Sequence, residues 1–468
     1  MRQTKPRRLW PWIVLILVLL ALISALIYGF WSKLQAESHL PTLDTEQSGD
    51  ALLPPEDTNG VEDDPVVDAP VVDDPVDTPP EDDPPVDDPP VDDPPEDTPP
   101  KDDPPEDDPP EDDPVVDDGA FHTKLTGSVV SAGYAVSDAR LAVMEQFMSA
   151  WYTPLAEFGS PDFGEMFSKE KQSDSHADAL RTLIAIRQAA LTDLRMNSVD
   201  YTLTITDVEP LSDGRLRIEA DETAHMRFAA TPGIDSILYD LPHIFIFDKD
   251  AATLSHHEAD DNPYFSYNRA ENSDYDAEFD IIMNSIAARQ QTYWDQTVVE
   301  LPCDHPYDVD SAISYLYAYC DERNPYWYAY DAVGGNCMNF GSQVLLAGGI
   351  PRDEQGSAKW YWDNKNELAL SWINVGRFYE YCRDNSGYGL VADTEASYYT
   401  GEIGDVVIVG FDEDHRHTTL ISGIVRDGAG NVVDYLITCN TTNYKDFPVS
   451  AYYYTFHRLI KIFGWNEG

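Results

Sequence analysis

Basic side chains are scarce in this chain of 468 residues: 30 Lys and Arg stand against 85 Asp and Glu, for a formal charge of −55. Outside the first eight residues there is no stripe of Lys or Arg. Phosphate backbones repel a chain of that sign, so nucleic acid is excluded as a partner. Between Pro41 and Asp118 aromatic and long aliphatic residues almost vanish, and such a stretch cannot bury a core. The length alone would suggest roughly two or three folded units.

What is present begins with residues 9–31, an apolar run whose only strongly polar member is Ser24. It is long enough to cross a hydrocarbon core of about 30 Å. Arg2, Lys5, Arg7 and Arg8 precede it, while Lys33 is followed by acidic sequence, so the positive-inside rule leaves residues 1–8 in the cytoplasm and everything after the span outside. Trp10, Trp12, Tyr28 and Trp31 mark its ends as interfacial aromatics do. A cleaved signal peptide would have a shorter apolar region and a small-residue cleavage site, and Leu34, Gln35, Ala36 make a poor one. The expectation is a single-pass signal anchor in the cell membrane with extracellular C-terminal domains.

Residues 32–118 hold 21 of the 34 prolines and fall into a near five-residue repeat, as in Val86, Asp87, Asp88, Pro89, Pro90. Paired prolines favour polyproline II and the acids repel one another, so the segment is expected to be a disordered, extended stalk.

Folded sequence begins near Phe121. Ser137 is a plausible N-cap for an amphipathic helix in which Leu141, Met144, Phe147, Met148 and Trp151 recur at helical spacing, with Pro154 as its stop. A second helix is expected over about 176–194, then period-two strands at 201–206, 215–220, 225–228 and 243–247. This order implies an α+β unit over 119–275 and loosely resembles the cone-shaped, nuclear-transport-factor-like fold. His256, His257, Glu258, Asp260 and Asp261 are contiguous, without the spacing of a zinc protease, and read as a polar loop. Residues 277–294 read as a connecting helix leading to a second domain at 301–468.

In that domain Gly334 and Gly335 form a loop free to adopt positive φ, and 337–347 has helical composition closed by Gly348 and Gly349. Cys337 therefore sits at a helix N-terminus, where unsatisfied amides favour a thiolate. Downstream, 404–410 reads as a buried strand and His417 opens a return strand, followed by Asn440 and Asn443 at a strand end. Cys, then His, then Asn is the order of a papain-type site.

Gly334, Gly335, Asn336, Cys337, Asn339, Phe340, Ser342 and Gln343, then Ala347 to Gly349, Trp360 and Tyr361, Ser371 and Trp372 with Asn374, Val375 and Phe378, Gly404 to Val406, and His417 with Leu420 and Ile421 resemble the putative amidase domain family of bacterial surface proteins. That family is grouped with papain-like and NlpC-like cysteine hydrolases. The resemblance spans roughly residues 300–465 and implies a papain-like α+β domain with Cys337 as nucleophile and His417 as base; His415 is better read as a turn residue. The orienting third position is assigned to Asn440, with Asn443 as the alternative, although the family tends to carry an acid here. Asn336 also stands where an acid is usual. An amide can still orient the imidazole. The oxyanion would be met by the Cys337 amide and one side-chain donor, for which Tyr330 is the candidate because the neighbouring Asp331 carboxylate cannot donate.

Five cysteines, Cys303, Cys320, Cys337, Cys382 and Cys439, leave two possibilities: Cys303–Cys320 and Cys382–Cys439 bridges with Cys337 free, or reduced thiols throughout. Taken together, the expectation is an extracellular cysteine amidase, tethered by a stalk and acting on cell-wall peptide or another amide through a thioester, with no metal or other cofactor. The alternative is a non-catalytic wall-binding or scaffold protein with a degenerate papain-like domain, which the altered positions Asn336 and Asn440 support.

Overall fold

The computed structural model describes residues 120–249, 251–259, 275–291, 297–411 and 415–468. The apolar span expected at 9–31 and the stalk at 32–118 lie outside them, as do Asp260 and Asp261. No helix among the described residues is long and apolar enough to cross a membrane.

The architecture is mixed α+β. Its first half runs β1 (Lys124–Val130), α1 (Asp138–Glu157), α2 (Glu170–Gln188), β2 (Met196–Pro210), β3 (Leu216–Phe228), β4 (Ser236–Phe247), β5 (Leu254–Ala259) and α3 (Tyr275–Gln291). The second half begins with β6 (His305–Pro306), α4 (Val309–Ala318) and α5 (Cys337–Ala347). There follow β7 (Trp362–Asn364), β8 (Glu367–Leu368), α6 (Val375–Asp384) and β9 (Gly389–Asp393). The chain ends in β10 (Val406–Gly410), β11 (His417–Arg426), β12 (Val432–Thr438), β13 (Asn443–Lys445), β14 (Phe447–Pro448) and β15 (Phe456–Asn466).

Three local expectations are corrected. Pro154 does not stop α1, which continues to Glu157 and ends at Phe158 in the left-handed region; burial of Pro154, Leu155 and Ala156 holds the last turn in place. The strands expected at 215–220 and 225–228 are one strand, β3, because Glu222 turns inward at a bulge and finds buried partners instead of making a turn. His256 to Glu258 lie on β5, paired with β4, and His257 is buried rather than in a loop.

The first sheet has the order β1, β2, β3, β4, β13, with β5 also on β4. Its edge strand β13 comes from the second half: Asn443, Tyr444 and Lys445 pair with Tyr239, Leu238 and Ile237. The apolar core is shared in the same way. Met144, Phe147, Leu203 and Phe245 belong to one cluster with Val407, Ile437 and Leu459. Burying each such side chain contributes about 1.5–3 kcal/mol, so the junction carries much of the stability of both halves.

In the second sheet, order β14, β12, β11, β10, β15, β6, strand β10 is covered on both faces. Val407 and Val409 face the shared core, while Val406 and Ile408 pack with Met338 and Leu345 beneath α5. This accounts for an apolar run without alternation. The five cysteines are free thiols, so the bridging alternative is not realised.

Candidate active site

Gly334 and Gly335 adopt φ of +112° and +103°, conformations that L side chains rarely take, and deliver the chain to α5 at Asn336. Asn336 ties the site together. Its Oδ1 accepts from the amide of Tyr330 (3.1 Å) and from Asn339 Nδ2 (2.8 Å). Its Nδ2 donates to Asn440 Oδ1 (3.1 Å) and its backbone N–H to Thr441 Oγ1 (2.6 Å). A carboxylate at this position would have no proton for Asn440, which is the physical reason an amide fits where an acid is usual.

Cys337 is the first residue of α5 and is 8 % exposed. Burial pushes its thiol above the ordinary value, and the amides of Thr418, Met338 and Cys337 itself pull it partly back. Desolvation thus outweighs the helix-terminus effect, and near neutral pH the sulfur is a thiol. The backbone amides of these three residues nevertheless favour negative charge on it once that charge forms.

His417 opens β11 opposite Val409. Successive side chains on a strand point to opposite faces. Thr418 takes the α5 side, its hydroxyl donating to Met338 Sδ at 3.4 Å and its methyl packing on Gly341. The His417 ring lies on the other side, 6.0 Å from Tyr452 and 6.4 Å from Tyr454 between centroids. Burial lowers its pKa to about 4, so it is neutral, and among the described residues its Nε2 has no hydrogen-bond partner. Among the described residues no hydrogen bond joins Cys337 to His417.

The remaining expected residues divide between the two sides of this picture. Asn440 lies on the Cys337 side, but its Oδ1 is occupied by Asn336 and its Nδ2 reaches Tyr319 O (3.4 Å), so the orienting bond to His417 is not made. Asn443 accepts from Arg323 Nη1 (3.0 Å) and the Thr441 amide (3.2 Å). The Tyr330 hydroxyl accepts from Trp362 Nε1 (2.9 Å), leaving its own proton available to an acceptor. His415 packs its ring on Tyr379, with centroids 4.5 Å apart. Of the domain's central aromatics, Trp360 and Trp372 are fully buried and anchor α5 through Ser342 Oγ (3.0 Å) and Asn339 Oδ1 (3.0 Å). Sequence reasoning did not find Thr441 or the bridging role of Asn336; the only trace of them was the clustering of Asn and Thr at 440–443.

These residues all fall within one segment that a family model recognises. Residues 306–463 match the putative amidase domain family. The matched segment covers about a third of the chain, from β6 to β15. Over 118 residues the chain is 34% identical to the uncharacterized protein YhbB of Bacillus subtilis, a stretch that is 25% of this chain and 37% of that relative. The chain therefore spans little more than a third of the length of that protein. No solved structure matches it. Among the described residues no group of three or more His, Cys, Asp or Glu is arranged to hold a metal ion.

Proposed function

We propose that the chain is a cysteine amidase with Cys337 as its nucleophile. The observation that carries this reading is the sulfur at the head of α5 beneath the amides of Cys337, Met338 and Thr418, inside a segment that matches an amidase family. In this reading the thiol loses its proton to His417, sulfur adds to the amide carbonyl, and the carbonyl oxygen takes the negative charge among those amides, with Tyr330 as a further donor. Collapse breaks the C–N bond, the leaving amine takes the proton from His417, and water then hydrolyses the thioester to acid and free thiol.

The reading requires His417 to occupy the side of β11 that Thr418 holds in the described state. A one-residue slip of a strand exchanges its faces. The cone-like and papain-like assignments of the two halves, the membrane anchor at 9–31, the stalk and the extracellular cell-wall peptide substrate belong to the same proposal. They rest on sequence pattern and location.

A second reading, a non-catalytic wall-binding or scaffold protein, draws on the orientation of His417 towards Tyr452 and the engagement of Asn440 by Asn336. Incubation of the full-length protein with wall fragments and simple peptides separates the two. The amidase releases new amino groups, and Cys337→Ala stops the release. Wall binding without release, unchanged in Cys337→Ala, supports the scaffold.

A further inference from the structure

The first half contains a second polar constellation that the amidase reading does not use. Tyr152 donates to Glu222 Oε1 (2.5 Å), and Glu222 Oε2 meets His243 Nε2 (3.0 Å). His243 Nδ1 meets His257 Nε2 (3.0 Å), and His257 Nδ1 meets His176 Nε2 (3.2 Å). The chain ends where His176 Nδ1 meets the carbonyl oxygen of Gln172 (2.8 Å). All five residues are at most 5 % exposed.

The proton positions follow from that last contact. A carbonyl only accepts, so His176 Nδ1 carries a proton and, in a neutral ring, its Nε2 accepts. His257 then donates from Nδ1 and accepts at Nε2, and His243 donates from Nδ1. Burial keeps His176 and His257 neutral, as this order requires. Both oxygens of Glu222 are engaged within the network, one by Tyr152 and one by His243.

Glu222 is thus committed to Tyr152 and His243 rather than to Arg187. The Tyr152, Glu222, His243 and His257 side chains line a cavity of about 70 Å³ together with Arg187 and an apolar wall that includes Leu183 and Met226. Arg187 is 4 % exposed. Its Nε donates to Ala451 O (3.1 Å), its Nη1 touches Met196 Sδ (3.9 Å), and its guanidinium lies over Phe228 (5.7 Å) and Phe447 (5.9 Å). Among the described residues no carboxylate lies within ion-pair distance of it. A buried cation without a counter-charge is costly, and the cavity beside it supplies the room for one.

We propose that this cavity binds a small organic carboxylate with an apolar body, the carboxylate pairing with Arg187 and the body lying against Leu183 and Met226. A guanidinium takes a carboxylate in two parallel hydrogen bonds. A single cation neutralises a monoanion, whereas a phosphate dianion would leave excess negative charge buried. The site is independent of the chemistry at Cys337.

The test is calorimetric titration of the full-length protein with propanoate and isobutyrate, each against its uncharged counterpart, propanol and isobutanol. The acids are expected to bind at least about tenfold more tightly than the alcohols, the scale of a hydrogen bond to a charged group. Arg187→Met removes that preference while alcohol binding persists, and Arg187→Lys retains part of it. Failure of both acids to bind the unaltered protein, or equal binding of acid and alcohol, overturns the proposal even if a variant does not fold. An acid preference that survives Arg187→Met overturns it as well.

Discussion

His417 and Thr418 are neighbours on β11 and serve opposite layers: Thr418 Oγ1 donates to Met338 Sδ at 3.4 Å on the α5 side, while the His417 ring lies 6.0 Å from Tyr452 on the other. The consequence for chemistry is direct. Among the described residues no imidazole is hydrogen-bonded to the thiol in this state, and burial keeps it protonated.

Alkylation of Cys337 should therefore be slow. Without substrate, iodoacetamide should modify it no faster at pH 7 than it modifies a simple peptide thiol, and the rate should rise above pH 9. His417→Ala should leave that rate unchanged. Peptide mapping after timed labelling checks this; fast modification at pH 7 that disappears in His417→Ala would mean that the two groups are already paired.

The Asn336 amide gives a stability prediction. Asn336→Asp replaces the Nδ2 donor to Asn440 Oδ1 by an acceptor, at a buried position 2 % exposed. Leaving such a group unpaired costs about 1–3 kcal/mol. Urea unfolding should show a loss of that size, and an unaltered midpoint would contradict the bridging role given to Asn336.

Buried acids set a pH dependence. Burial raises Asp405 to about 7 and Asp434 to about 6, against 3.8 ordinarily. Their contribution is full below about pH 4 and is lost as pH rises through 6 to 7. Buried neutral histidines such as His176 and His417, both lowered to about 4, act in the opposite sense, their contribution present above pH 6.5 and lost on acidification. The informative quantity is thus a difference: Asp405→Asn should be less stable than the unaltered protein at pH 4.5 and recover relative to it by pH 8. Parallel stability curves would contradict the raised value.

The shared core predicts that the first half does not stand alone. A fragment of residues 119–300 lacks β13 as its edge strand and exposes apolar side chains that meet Ile437 and Leu459. It should unfold with reduced cooperativity and bind a hydrophobic dye, whereas residues 119–468 should not. Equal cooperativity in the two pieces would contradict the account of the junction.

What the sequence made legible was local. Gly334, Gly335 and the closing Gly348 and Gly349 punctuate α5, so its bounds could be read directly, and the apolar run at 406–409 could only be a buried strand. What escaped depended on partners far along the chain. His256 to Glu258 look like a loop because polar residues seldom fill a core; β5 exists because His257 is satisfied by His176 and His243. Pro154 looks like a stop because the packing that carries the helix past it is tertiary. The face taken by His417 was beyond a motif reading, since a strand's start can be read from composition while its register against β10 cannot.

The central claim is that sulfur at position 337 bonds to the acyl half of an amide substrate. Intact-protein and peptide mass spectrometry of the full-length chain, quenched in acid during turnover of a wall peptide, tests it most directly. The account predicts an acyl adduct on the peptide containing Cys337, absent in Cys337→Ala and depleted in His417→Ala. Turnover that persists in Cys337→Ala without any adduct would contradict it.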